Sequence, residues 1–121
     1  MSVPIINSFQ AENSVNLTTA TITQSIHRAI LLSQGLMFDS AWGVNLTTGK
    51  ITIFKGTSFA ARDISFDEYY ETPANITIAG LTEITFAPLT GQPQNIGTIT
   101  ITAPDNDPRE ININARGMVD Y

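Results

Sequence analysis

The sequence predicts an α+β fold: one N-terminal amphipathic helix packed on antiparallel β-sheets of about six or seven short strands. Two observations carry that expectation. Val15, Ile22, Ile26, Ala29, Ile30 and Ser33 fall on one stripe when residues are placed about 100° apart, which is the period of a helix with one buried face. After Gly35 the apolar period drops to two and stays there to the end of the chain, in short runs separated by Gly, Pro, Asn and Asp. A single helix followed by successive short strands packs as a helix on one face of a curved sheet or small sandwich. The 121 residues fit one domain, 1–121, with an ordinary core.

The helix is placed at residues 16–34. Ser14 or Asn16 is suited to cap its start and Gly35 to supply a left-handed residue after its end, although the Thr residues of the first two turns lower its propensity. Leu31 and Leu32 lie away from the centre of the stripe, so cover on more than one side of the helix is expected. The opening Met1-Ser2-Val3-Pro4-Ile5-Ile6 is partly apolar and is read as broken at Pro4.

Beyond Gly35, Ala41-Trp42-Gly43-Val44, a turn at 45–49 and Lys50-Ile51-Thr52-Ile53-Phe54 read as a hairpin. Polar and acidic residues dominate 55–72, which reads as a loop with one short strand near 64–66. Asn75-Ile76-Thr77-Ile78 and Glu83-Ile84-Thr85-Phe86 follow as strands. The last hairpin joins Gly97-Thr98-Ile99-Thr100-Ile101-Thr102 to Arg109-Glu110-Ile111-Asn112-Ile113-Asn114, with Ile99, Ile101, Ile111 and Ile113 on one face and Thr and Asn on the other.

Composition narrows the function classes. Six Lys and Arg against eleven Asp and Glu give a net charge of −5, so polyanion binding through clustered cations is disfavoured and no nucleic-acid partner is expected. Charged residues make up only 14 % of the chain, which with the abundance of Thr and Asn suits an envelope-exposed β-protein. Without Cys there is no thiolate nucleophile, disulfide or Cys metal site. No apolar run approaches the length of about 20 residues that a membrane helix needs.

Single residues offer little chemistry. His27 is the only His, on the polar side of the helix, and no Ser-His-Asp order surrounds it, so the chain is expected not to be an enzyme and to need no cofactor. Asp63, Asp67, Glu68 and Glu71, or Asp105, Asn106 and Asp107, have the oxygen chemistry of a hard-cation site, but neither set has EF-hand spacing and the second is ordinary turn chemistry; no metal is expected. Asn-x-Thr sequons at Asn16, Asn45 and Asn75 follow from a chain rich in both residues. Phe66, Tyr69 and Tyr70 beside the acids read either as an exposed aromatic patch or as anchors of a loop, and with the low charge and high Thr content they motivate a carbohydrate-binding or adhesive β-sandwich module as the second function class.

The order of the pieces resembles GspH/FimT-type minor pseudopilins and type IV minor pilins. In that family the helix leads through an Arg-Ala pair and a short loop into a Trp-Gly-Val strand, then into a strand ending in an aromatic residue, and the chain closes on a hairpin and a conspicuous Gly. Here the corresponding residues are Arg28-Ala29, Trp42-Gly43-Val44, Ile51-Thr52-Ile53-Phe54, the hairpin from Gly97, and Gly117. The resemblance implies a pilin-like fold and a structural subunit of a type II secretion or type IV pilus filament, at the periplasmic or extracellular face of a bacterial cell envelope. The partners implied are other pilin or pseudopilin subunits and a secreted protein substrate, met through Leu31, Phe66, Asp67, Glu68, Tyr69 and Tyr70. Two features depart. The family's cleaved leader and long apolar helix with a Glu near its start have no counterpart here, so residues 15–34 match the soluble half of that helix, with Met1 an added start; membrane anchoring is expected only through that missing segment, and the chain by itself is expected to be monomeric. DNA-binding relatives carry a basic Gly-Arg-x-Arg, where this chain reads Gly117-Met118-Val119-Asp120, so DNA uptake does not carry over.

Overall fold

A computed structural model describes residues 3–35, 40–104, 108–115 and 119–120, with side chains from residue 14 to 115 within those ranges. One helix, α1 (Val3–Gln34), precedes two four-stranded antiparallel sheets. The first has the order β3-β2-β1-β5, built from β1 (Trp42–Thr47), β2 (Lys50–Lys55), β3 (Asp63–Glu71) and β5 (Glu83–Phe86). The second has the order β4-β6-β7-β8, built from β4 (Thr77–Gly80), β6 (Gly97–Thr102), β7 (Arg109–Ile113) and the two-residue β8 (Val119–Asp120). The expected α+β class and strand number are observed: seven strands of four residues or more, and β8.

α1 is 32 residues, about 48 Å at 1.5 Å per residue, and begins well before the expected start at 16. Pro4 is the reason for the difference: in the first turn a proline costs no hydrogen bond and its fixed φ suits helix entry, so it opens the helix rather than breaking it. Ser14 and Asn16 are consequently interior positions and not caps. Val15, Ile22, Ile26, Ala29 and Ser33 are buried and Ile30 packs against the core, as the stripe predicts. Leu32 also packs against the core. Thr19, Thr23 and Ser25 are buried too, because their hydroxyls donate back to the carbonyls of Val15 (2.7 Å), Thr19 (2.9 Å) and Thr21 (2.8 Å) and so carry no unmet polarity inward. Gly35 ends the helix without a left-handed φ. Instead the N–H of Leu89, a residue with φ of 69°, donates to the carbonyl of Ser33 (2.7 Å), and Gln34 Nε2 donates to Thr90 O (3.2 Å), so the segment after β5 satisfies the helix end.

Register sorts the first sheet into two faces. Trp42, Val44, Leu46, Ile51, Ile53, Ile84 and Phe86 point to the helix and belong to the main core. Gly43, Thr52, Phe54 and Thr85 share the other face and are buried as well, since residues 56–62 and 87–96 fold over it. The ring of Phe54 meets Phe59 edge to face at 5.6 Å, and the N–H of Phe59 donates to Glu83 Oε2 (3.2 Å). On the second sheet Ile78, Ile99, Ile101, Ile111 and Ile113 complete the core, with the alternation expected of the last hairpin.

Three expectations need correction. The hairpin turn is only Thr48-Gly49, with Gly49 at φ 90°, because pairing continues to Thr47↔Lys50. The strand expected at 75–78 lies at Thr77–Gly80. The segment 55–72 is not a loop with a short strand at 64–66: β3 occupies nine residues and pairs with β2 from Lys50↔Glu71 to Lys55↔Asp63, with a bulge between Ile53 and Lys55. Asp105, Asn106, Asp107, Gly117 and Met118 lie outside the described residues.

Candidate functional site

β3 and the C-terminal half of α1 bring together most of the residues singled out as partner-binding. Side chains alternate along β3, so Phe66, Glu68 and Tyr70 share the helix-side face, and Tyr69 and Glu71 the other, opposite Thr52 and Lys50.

Two of the six candidates are turned inward. Phe66 packs against the core and meets Trp42 edge to face at 6.2 Å, with the Lys55 ammonium 4.2 Å from its ring centre. Asp67 accepts from Arg62 Nε at 2.9 and 3.1 Å, and both side chains are largely covered. Arg62 in turn stacks 3.8 Å over the Phe59 ring and donates to Phe59 O (2.9 Å), which locks 56–62 onto the sheet. Asp67 is thus a fastening of its own domain.

Of the other four, Leu31, Tyr69 and Tyr70 are exposed and Glu68 is half-buried. Leu31 is 69 % exposed on the helix. One turn earlier, Arg28 holds Glu68 through two hydrogen bonds, Nε to Oε1 and Nη2 to Oε2 at 2.7 Å, bridging α1 to β3. Those bonds hold the Glu68 carboxyl below its ordinary pKa, against a smaller upward push from partial burial, and raise the Arg28 guanidinium further above its own. Tyr69 and Tyr70 are 58 % and 44 % exposed, but as neighbours on a strand they project to opposite faces and form no common stacking platform. Tyr69 lies against Lys50, whose ammonium is 4.4 Å from the ring centre.

The acids of β3 do not converge: among the described residues no group of three His, Asp or Glu side chains is arranged to hold a metal ion. Asp63 instead accepts from the hydroxyl (2.6 Å) and N–H (3.1 Å) of Ser65, which lowers its pKa. His27 is exposed on α1. Of the sequon asparagines, Asn16 accepts from Arg109 Nη2 (2.6 Å), Asn45 lies within β1, and Asn75 is exposed between β3 and β4.

Ile64, 70 % exposed on β3, is a surface apolar residue that sequence reasoning did not single out. Its signal was present, an isoleucine between Asp63 and Ser65, but nothing local says that the strand is an outermost one. No helix among the described residues is long and apolar enough to cross a membrane. No family model matches the chain, nor does any curated protein or solved structure.

Proposed function

We propose that the chain is a structural subunit that works by protein–protein assembly, of the minor pseudopilin or minor pilin kind, in a type II secretion or type IV pilus filament at a bacterial cell envelope. The observation that carries this reading is the placement of the Arg28-Ala29, Trp42-Gly43-Val44 and Ile51-Thr52-Ile53-Phe54 pieces. They run in order from the end of a 32-residue helix into the first hairpin of a helix-on-sheets fold. Further support comes from Leu31, exposed on α1 one turn beyond Arg28, from the Arg28–Glu68 pair that bridges α1 to β3, and from Tyr70, exposed on the same face of β3 as Glu68. That composition suits a protein neighbour. The partners are then other subunits and a secreted protein, with no small-molecule chemistry.

The test is complementation in cells lacking the gene, with Leu31→Lys and Tyr70→Lys introduced together into the full-length protein. A variant that melts like the wild type and yet abolishes piliation or secretion supports the reading. Normal assembly from that folded variant removes this surface from the interface. Absence of any filament or secretion defect in the gene deletion overturns the reading itself.

A further inference from the structure

The two edges of the first sheet are treated differently. At β5 the outward backbone is satisfied: Thr85 O accepts from Gln94 N (2.7 Å), Thr85 N donates to Asn95 Oδ1 (3.2 Å), and Phe86 bridges to Pro93. The segment 87–96 therefore closes that edge, which is how exposed strands are commonly protected.

At β3 the phase of the hydrogen-bond ladder identifies what faces out. Leu46 N–H donates to Thr82 O (2.7 Å), so Trp42, Val44 and Leu46 direct their backbone groups toward β5, and Gly43, Asn45 and Thr47 theirs toward β2. Their partners Phe54, Thr52 and Lys50 are thereby used on the β1 side, which leaves Ile53 and Ile51 to bond Glu68 and Tyr70. Thr72 N–H donating to Gly49 O (3.0 Å) continues the same parity. Tyr69 and Glu71 consequently direct N–H and C=O away from the sheet, and among the described residues no group receives them.

The side chains at this edge select for charge. β3 carries Asp63, Asp67, Glu68 and Glu71 and no cation. Asp67 and Glu68 are neutralised by Arg62 and Arg28, whereas Glu71, whose register partner Lys50 places its ammonium over the Tyr69 ring, is in no ion pair among the described residues. A second copy is a poor occupant: pairing β3 with itself would align two acidic strands, and the outermost strands of the other sheet, β4 (Thr-Ile-Ala-Gly) and β8 (Val-Asp), offer no cation.

We propose that the open edge of β3, at Tyr69 and Glu71, takes up an extended lysine- or arginine-bearing segment of another protein as a fifth strand of the first sheet. Two residues of that segment bond the four outward backbone groups, and the one opposite Glu71, whose side chain shares the Glu71 face, is the cation that pairs with it. This goes beyond the filament reading and does not depend on it, since an edge of this kind would capture such a strand in any assembly.

The experiment uses the purified chain and a synthetic peptide of alternating lysine and valine, followed residue by residue through amide hydrogen exchange. Before peptide is added, the Glu68, Tyr70 and Thr72 amides exchange slowly and those of Tyr69 and Glu71 fast. A Tyr69 amide already protected in the free chain would overturn the open edge. At saturation the Tyr69 and Glu71 amides slow by about tenfold or more, as expected for amides newly engaged in a ladder. A lysine–valine peptide N-methylated at every residue has the same charge and no backbone donors, and it gives no slowing. Equal protection by both peptides, or none up to millimolar concentration, overturns the proposal. Glu71→Lys weakens the lysine–valine peptide about fivefold at low salt, the worth of one exposed ion pair; unchanged affinity in this variant overturns the charge selection.

Discussion

Gly43 on β1 lies beneath the ring of its register partner Phe54 on β2: a methyl group on Gly43 would stand 2.5 Å from Phe54 Cζ and 2.6 Å from the carbonyl oxygen of Ile84. The glycine of the Trp-Gly-Val run is therefore needed for close approach, with one obstacle a ring packed on Phe59 and the other backbone.

Gly43→Ala should cost about 1 to 3 kcal/mol, because neither neighbour can retreat without opening the sheet or the packing of Phe54. Urea melts would register this as a lower midpoint at unchanged slope. A midpoint equal to that of the wild type would mean that β1 and β5 separate freely at this point.

The helix phase gives a paired comparison. Ile26 is fully buried and in the core cluster, so Ile26→Ala should cost about 2 to 4 kcal/mol through a cavity that the sheet cannot fill. Leu31→Ala, at a site open to solvent, should stay within about 0.5 kcal/mol. Reversal of that ranking in denaturant melts would contradict the orientation of α1.

Stability should respond to acid through the bridge between α1 and β3. Glu68 titrates lower in the folded chain than in the unfolded one, where its pKa is about 4.5. Its contribution is thus complete above that value and fades as pH falls through the lowered folded value. Since the two side chains are 49 % and 35 % exposed, the effect is at most about 1 kcal/mol and weakens with salt. Arg28→Gln should flatten that part of the profile, and an identical pH dependence in the variant would show that Arg28 does not hold Glu68 in solution.

Asp67→Asn should destabilise by about 1 to 3 kcal/mol, because it removes the charged acceptor from Arg62 in a largely covered site. Contacts between the Phe59 and Phe54 rings should weaken with it, which is visible as loss of nuclear Overhauser effects between them. Retention of both stability and ring contacts would show that 56–62 is held by packing alone.

The sequence by itself determined whatever rests on local periodicity. The stripe from Val15 to Ser33 specified which helix face is buried, and the alternation of Ile99, Ile101, Ile111 and Ile113 specified which face of the last hairpin is dry, because each side of those elements meets a single environment. Only the tertiary structure decided the role of β3. It is an outermost strand whose two faces are both partly wet, so its residues show no alternation and its acids read as loop. The same holds for the burial of Thr52, Phe54 and Thr85 under 56–62 and 87–96, and for the bridge between Arg28 and Glu68, 40 residues apart. Contacts between distant segments depend on how the sheets and loops close over one another, and no window of neighbouring residues carries that information.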